Sequence, residues 1–345
     1  MTRPVKIVLC GLGNVGTAFL KLLAERRNLI EIRYGLRLTL SAAVDIGGAA
    51  INGEEEGIDA SSLLAHLAAG KKVEQFSSYG LTGFTGQQAL IQSNAHVLVE
   101  TTPTNLVDGE PGRTHIITAL QQAMEVVSAN KGPLVLFYRE LHELARKQGV
   151  GIHISAATAA ALPTLDVGTI CLAGTQLLEA EGILNGSTNY ILTRMQRDGW
   201  DYEYALRDAQ KLGIAETNPS LDVEGHDTAN KIVLIANRLF DVSLGPSDVT
   251  VKGITAITSE DISAAAADGK VIKLIGTIKR TSADLQLDVA PKRLDKDHPL
   301  ASVSGSEKAI SFLTDTMHRI TVIGGKSSPV GAAAALLKDL INAFV

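Results

Sequence analysis

Val5-Lys-Ile-Val-Leu-Cys10 sets apolar, largely β-branched residues side by side, the pattern of a strand buried on both faces. A glycine-rich turn follows, and over residues 17–27 apolar positions recur at helical spacing. Residues 38–45 repeat the strand pattern and residues 61–69 the helical one. His96-Val-Leu-Val-Glu100 and Glu125-Val-Val-Ser128 are two further buried strands with a helical pattern between them. Strands alternating with helices predict an α/β unit, a parallel sheet with helices on both faces.

After Gly151 the texture changes. Helical patterns dominate residues 187–240, and strand-like pieces return at 271–278 and 285–290 with strong turn residues between them. Arg319-Ile-Thr-Val-Ile-Gly-Gly reads as strand then turn, and residues 332–344 as a helix. This predicts a second, α+β domain whose sheet can carry a subunit interface. The division expected is residues 1–153, completed by a helix at about 325–345, and residues 154–324.

Composition narrows the function classes. The 345 residues are 45% hydrophobic and 20% charged, with formal net charge −5 and no block of like charges. Neither nucleic acid nor an anionic membrane is favoured as a partner. No apolar run approaches a membrane span and no signal-peptide pattern opens the chain, so a cytoplasmic protein is expected. Of the two cysteines, Cys10 and Cys171, the first lies in an apolar run and reads as a small buried hydrophobe. No activating base for a catalytic thiol is evident nearby.

Gly11-Leu-Gly-Asn-Val-Gly16 lies between a predicted strand and a predicted helix, the context that makes this spacing a dinucleotide fingerprint. Gly11 permits the tight turn, Gly13 lets a pyrophosphate approach the backbone, and Gly16 lets helix and strand pack closely. With Asn14 and Val15, these residues would present free N–H groups and the positive helix end to phosphates. The domain is therefore of the Rossmann type, with NAD or NADP as cofactor. Asp45, ending the second strand, suits the adenosine ribose and would favour NAD; it also reads simply as the residue that starts the Gly47-Gly48 turn. Arg37 offers a competing partner for a 2′-phosphate, which leaves the preference open.

Ligands of open α/β sheets bind outside the carboxyl ends of the strands. Thr101, Thr102 and Thr104 follow one such end and supply hydroxyl donors for a ribose or carboxamide. Lys131 follows another and is poised over the crevice, unless it is only a solvated turn lysine.

The densest polar chemistry lies further along. Asn185-Gly186 forms a sharp turn, and Ser187 or Thr188 can cap the helix that follows. Pro219 interrupts helix formation and leaves Glu216 on a loop. A new helix is expected from near Asp222 or Glu224 to Phe240, placing Asp227 and Lys231 four apart on one face. Most such pairs are surface ion pairs, but the apolar run Ile232-Val-Leu-Ile-Ala236 argues for a buried helix with the pair at its polar mouth. Oxidising a hydroxyl by hydride transfer needs a group to take the O–H proton, which a lysine does when its pKa is brought towards neutrality. Glu216, Asp222 and Asp227 are carboxylates for a substrate ammonium. These residues point to a nicotinamide dehydrogenase of a small polar substrate.

Taken together, residues 11–16, 100–105, 128–131, 182–192 and 212–236 resemble the homoserine dehydrogenase family, in family order along nearly the whole chain. The resemblance implies reversible interconversion of homoserine and aspartate 4-semialdehyde, a step in making threonine, methionine and isoleucine. It implies Lys231 as proton donor and acceptor, Asp227 as its substrate-binding companion and Glu216 as ligand of the substrate amino group. Asp222 matches a further acid, Lys131 a lysine between nicotinamide and substrate, and Asn185, Gly186 and Thr188 the substrate turn. It also implies a homodimer paired through the second domain's sheet.

Two stretches depart from the family. Where relatives bind a monovalent cation with a Glu and a glycine-rich run, this chain has Ser155-Ala-Ala-Thr-Ala-Ala-Ala-Leu-Pro163, so no metal site is assigned. Gly324-Gly-Lys-Ser-Ser-Pro-Val-Gly331 differs from the usual turn but still suits a loop over the cofactor. No appended regulatory domain, and so no control by threonine through one, is expected. The nearest alternative is another Rossmann-type reductase of a small amino-acid-like substrate. Aspartate-semialdehyde dehydrogenase is disfavoured because it needs a cysteine nucleophile in a suitable loop.

Overall fold

The computed structural model describes residues 2–282 and 284–345. Two compact units emerge, one of residues 1–157 with 328–345, the other of 158–327. The first holds seven strands: β1 (Arg3–Cys10), β2 (Leu36–Asp45), β3 (Gly48–Ile51), β4 (Gly80–Thr82), β5 (Val97–Glu100), β6 (Glu125–Ser128) and β7 (Ile152–His153), in the order β4-β3-β2-β1-β5-β6-β7.

β1 lies mid-sheet, parallel to β2 and β5, and Val5, Ile7, Val8, Leu9 and Cys10 are all wholly buried. That burial on two faces is why its apolar residues do not alternate. The helix Asn14–Tyr34 carries the chain from β1 to β2, and Gly112–Gln121 carries it from β5 to β6. The last helix, Pro329–Phe344, returns Ala333, Leu336, Leu340 and Phe344 to the core that β1 and the Asn14–Tyr34 helix share.

The sheet is not wholly parallel. β2, β3 and β4 form an antiparallel edge that the sequence pattern did not show, because Gly48-Ala-Ala-Ile51 is too short and small-sided to register a period. Cys10 is paired with Glu100 and Glu100 with Ser128, so three strands end level with one another. That shared edge is what collects the loops following Cys10, Glu100 and Ser128.

The second unit has a six-stranded sheet of β8 (Leu177–Ile183), β9 (Val249–Val251), β10 (Lys270–Arg280), β11 (Leu285–Asp295), β12 (Lys308–Thr314) and β13 (Arg319–Gly324). Its order is β13-β12-β8-β10-β11-β9, antiparallel except where β9 meets β11. Helices Gly186–Asp198 and His226–Phe240 pack on it. Gly276 of β10 is bare where His226–Phe240 approaches: a Cβ there would meet the Ile232 and Thr228 methyls at 2.7 and 2.9 Å.

The helix expected from near Asp222 is two pieces, Ser220–Val223 and His226–Phe240. Gly225 separates them in the left-handed region (φ +90°), with Val251 and Val289 methyls close behind its Cα. The longer piece buries Ile232 to Asn237 without a break, which fits the apolar run in its sequence. Among the described residues no helix is long and apolar enough to cross a membrane.

Candidate active site

The dinucleotide fingerprint forms a cradle at the end of β1. Gly11 has φ +93°, and a Cβ on it would lie 2.6 Å from the Thr101 carbonyl carbon. A Cβ on Gly16 would lie 2.0 Å from the Gly11 carbonyl oxygen, so this glycine lets the helix sit directly on the turn. Gly13 is different: nothing lies within 4 Å of where its Cβ would be, and it caps the helix Asn14–Tyr34 without any side-chain hydrogen bond. Open space over an uncapped helix N-terminus fits a pyrophosphate, since the N–H groups at Asn14 and Val15 lie in the first turn that a helix cannot satisfy itself.

Asp45 closes the two-residue hairpin turn by pairing with Gly48, one residue beyond the level of Cys10. Arg37 is excluded as a partner for the same ligand. It pairs with Pro4 at the amino end of β2, eight residues from Asp45 and so roughly 26 Å away along an extended strand. Proximity in sequence along a strand is distance in space.

The threonines also differ from expectation. Thr101 Oγ1 donates to the carbonyls of Cys10 (3.0 Å) and Gly11 (2.8 Å), and Thr102 Oγ1 donates to Glu100 Oε1. Both hydroxyl protons fasten the loop, so towards a ribose or carboxamide these hydroxyls can act only as acceptors. Asn130, missed in the sequence, donates to Thr102 Oγ1 at 3.0 Å and caps the helix Lys131–Leu136 by accepting from Gly132 N. Lys131 is that helix's first residue, and its N–H meets Thr104 Oγ1 at 3.4 Å. The loops after β5 and β6 are thus tied together.

Beneath them lies a buried group whose members stand far apart in the chain. Glu100, 0% exposed, accepts from Thr102 N at 2.8 Å, and its other oxygen meets His115 Nδ1 at 2.8 Å. Cys10 lies beside them, with ligand atoms of all three residues within 4.8 Å of one another. A histidine therefore does stand beside the thiol, 105 positions away in the chain. Burial opposes the His115 cation, but Cys10 and Glu100 outweigh it and push its pKa up to about 10. The thiol remains a poor nucleophile because burial raises its pKa.

In the second unit Asn185 caps the helix Gly186–Asp198, its Oδ1 accepting from Thr188 N at 3.0 Å. Its amide group then donates to two carboxylates, Asp222 Oδ1 at 2.7 Å and Asp227 Oδ2 at 2.9 Å. Lys231 Nζ donates to Asp227 Oδ2 at 2.5 Å and to the Leu184 carbonyl at 2.8 Å. The side chains of Lys231 and Asp227 are only 11% and 13% exposed, so the pair is no surface bridge. Burial, then the Asp227 charge, raises the pKa of Asp222, while Lys231, Asn185 and Ser187 oppose the rise.

Other predicted residues fall around this centre. A Cβ on Gly186 would meet the Ser306 carbonyl at 2.9 Å, so a glycine is needed for that loop to pass. Thr188 is 1% exposed and its hydroxyl donates to the Asn185 carbonyl at 3.2 Å, which makes it part of the cap. Glu216 is exposed on the loop before Ser220–Val223; Ser187 Oγ holds the same loop through Ile214 O at 2.8 Å. Ser155, which opens the stretch that departs from the family pattern, donates from its N–H and hydroxyl to Asp339 at 2.9 and 2.8 Å.

Fold and site together define a class: a two-unit α/β protein with a dinucleotide cradle in one unit and a buried Lys–Asp centre in the other. Residues 163–341 match the family model described as homoserine dehydrogenase. A homoserine dehydrogenase of Methanocaldococcus jannaschii is 39% identical over 98% of both chains, and an NAD(+)-dependent homoserine dehydrogenase of Pseudomonas canavaninivorans 36% identical over 98% of this chain and 95% of that one. The crystal structure of a putative homoserine dehydrogenase from Archaeoglobus fulgidus superposes with TM-score 0.87 at 32% identity, covering 98% of each chain. The chain belongs to the homoserine dehydrogenase family.

Proposed function

We propose that this chain is an NAD(P)-dependent homoserine dehydrogenase that interconverts homoserine and aspartate 4-semialdehyde, with Lys231 as its proton donor and acceptor. The observation that carries the assignment of roles is the geometry at Lys231 Nζ. An ammonium has three N–H donors. Two are held by Asp227 and Leu184 O, leaving the third for the substrate oxygen. As the aldehyde is reduced and its oxygen gains negative charge, this N–H donates to it and delivers the proton. In the reverse direction the neutral amine takes the hydroxyl proton. Bound nicotinamide supplies or accepts the hydride.

The remaining residues bind and orient. Asn185 holds Asp222 and Asp227 at fixed positions while stiffening the turn that precedes its helix. Glu216 is an exposed carboxylate with no ion pair or hydrogen-bonded side-chain partner among the described residues, which suits a substrate ammonium. Gly11, Gly13, Asn14, Val15 and Gly16 receive the pyrophosphate, Asp45 the ribose, and Lys131 stands at the carboxyl edge of the first sheet.

The protein acts as a homodimer in this reading, pairing through the six-stranded sheet of the second unit. Its edge strand β13 exposes Ile320 and Ile323 by 38% and 49%, apolar surface that a second copy would cover. The expected compartment is the cytoplasm. Following NADH and NADPH absorbance with homoserine as substrate tests the activity, and absence of homoserine-dependent reduction with either cofactor removes it. Light scattering after gel filtration tests the dimer; a monomer at micromolar concentration removes that part.

A further inference from the structure

The turn that ends β2 holds a second carboxylate besides Asp45. Glu74 comes from the short helical turn Val73–Gln75, nearly thirty residues along the chain. A Cβ placed on Gly47 would lie 2.3 Å from Glu74 Oε1 and 2.8 Å from Oε2, and one on Gly48 2.8 Å from Glu74 Cβ. The carboxylate therefore lies flat against the backbone of the Asp45–Gly48 hairpin turn. Among the described residues no cation lies within ion-pair distance of Asp45 or Glu74. Arg37 is at the far end of the strand, and the basic residues of the local loop are Lys71 and Lys72, both exposed.

We propose that Glu74 is a specificity-determining residue that, with Asp45, rejects the 2′-phosphate of NADP and commits this enzyme to NAD. The inference rests on the dinucleotide cradle assigned above. Asp45 is placed to accept from a ribose hydroxyl, as acids ending the second strand do. Glu74 is too far back against Gly47 to be needed for that. Its effect is one of charge: a 2′-phosphate carries between one and two negative charges, and it would enter a turn that already holds two carboxylates with no paired cation. At separations of about 6–8 Å near the surface, Coulomb repulsion after screening is worth about tenfold in affinity for each carboxylate. The bare Gly47 and Gly48 serve the arrangement directly, because any side chain on Gly47 would displace the Glu74 carboxylate.

Equilibrium binding of NADH and NADPH, followed by nicotinamide fluorescence with the unliganded protein, tests this without turnover. The wild type is expected to bind NADH at least tenfold more tightly than NADPH. Glu74→Gln, which keeps the shape and loses the charge, should tighten NADPH binding five- to tenfold and change NADH binding less than twofold. In the wild type the NADH preference should also shrink as salt is raised, a measurement that needs no variant to fold. Wild-type binding of NADPH equal to or tighter than that of NADH overturns the proposal and directs attention to Lys71 and Lys72. Equal weakening of both cofactors in Glu74→Gln also overturns it, by showing a merely structural role. A protein that shows the expected NADH preference but does not oxidise homoserine upholds this inference while removing the activity assigned above.

Discussion

Replacing Lys231 tests the proposed chemistry most directly, because two substitutions separate its charge from its proton. Lys231→Met removes both. It deprives the substrate of its proton donor, and general acid–base catalysis of this kind is worth 10²–10⁴-fold. It also takes the Lys231 cation away from Asp227, 13% exposed, which shares the Asn185 amide with Asp222. Lys231→Arg keeps a cation that can still reach Asp227 and Leu184 O but does not release a proton near neutral pH. Both variants should therefore lose about 10³-fold in kcat, close to 4 kcal/mol of barrier.

Binding and stability should split the two. The Arg variant should keep its substrate affinity within a few-fold. The Met variant should unfold more easily by roughly 3 kcal/mol, the cost of stripping one partner from a buried pair. Adding Asp227→Asn to the Met variant should restore most of that stability without restoring turnover. Stopped assays of homoserine oxidation alongside thermal unfolding measure all three quantities. A correctly folded Lys231→Arg or Lys231→Met enzyme with kcat within tenfold of wild type would refute the role given to Lys231.

Three further outcomes follow from the geometry. Asp222→Asn should stabilise the protein at neutral pH while lowering kcat, because burial and the Asp227 charge raise the pKa of Asp222 and make its anion costly to hold folded; the gain in Tm should vanish as pH falls below the ordinary carboxylate range, where wild-type Asp222 is already neutral. His115, raised from 6.5 to about 10 against the cost of its burial by Cys10 and Glu100, contributes stability that is full below about 6.5 and is lost as pH climbs towards 10. Wild-type Tm should fall over that window, and His115→Gln should flatten the fall while lowering Tm at pH 7; parallel pH profiles would contradict the pairing. Gly13→Ala should fold like wild type, since its Cβ meets nothing within 4 Å, yet weaken dinucleotide binding at least tenfold by entering the cradle; Gly16→Ala, whose Cβ would lie 2.0 Å from the Gly11 carbonyl, should fail to fold or lose several kcal/mol. Circular dichroism melts and NADH titration distinguish the two glycines.

Much of the molecule could be read from residues close together in the chain. A strand buried on both faces announces itself through Val5 to Cys10, a tight glycine turn through the spacing of Gly11, Gly13 and Gly16, and a charged pair through Asp227 and Lys231 one helical turn apart. The caps were legible in part: Asn185 does cap its helix, where Ser187 or Thr188 was expected. Short, small-sided β3 was not, having too few residues to show a period.

Local period and turn chemistry encode an α/β fold with a dinucleotide turn near its start, and a lysine–aspartate pair on a buried helix. Which distant residues come together is a matter of register and packing. Strand register brings Cys10 level with Glu100, and thereby places His115 against both. Strand length carries Arg37 away from Asp45, while a hairpin and a helical turn bring Glu74 to the Gly47-Gly48 turn that follows it. Hydrogen-bond geometry decided the rest, since a hydroxyl has one proton, and Thr101, Thr102 and Thr188 give theirs to the protein. Such pairings depend on register and packing across tens of residues, and no short window of sequence contains them.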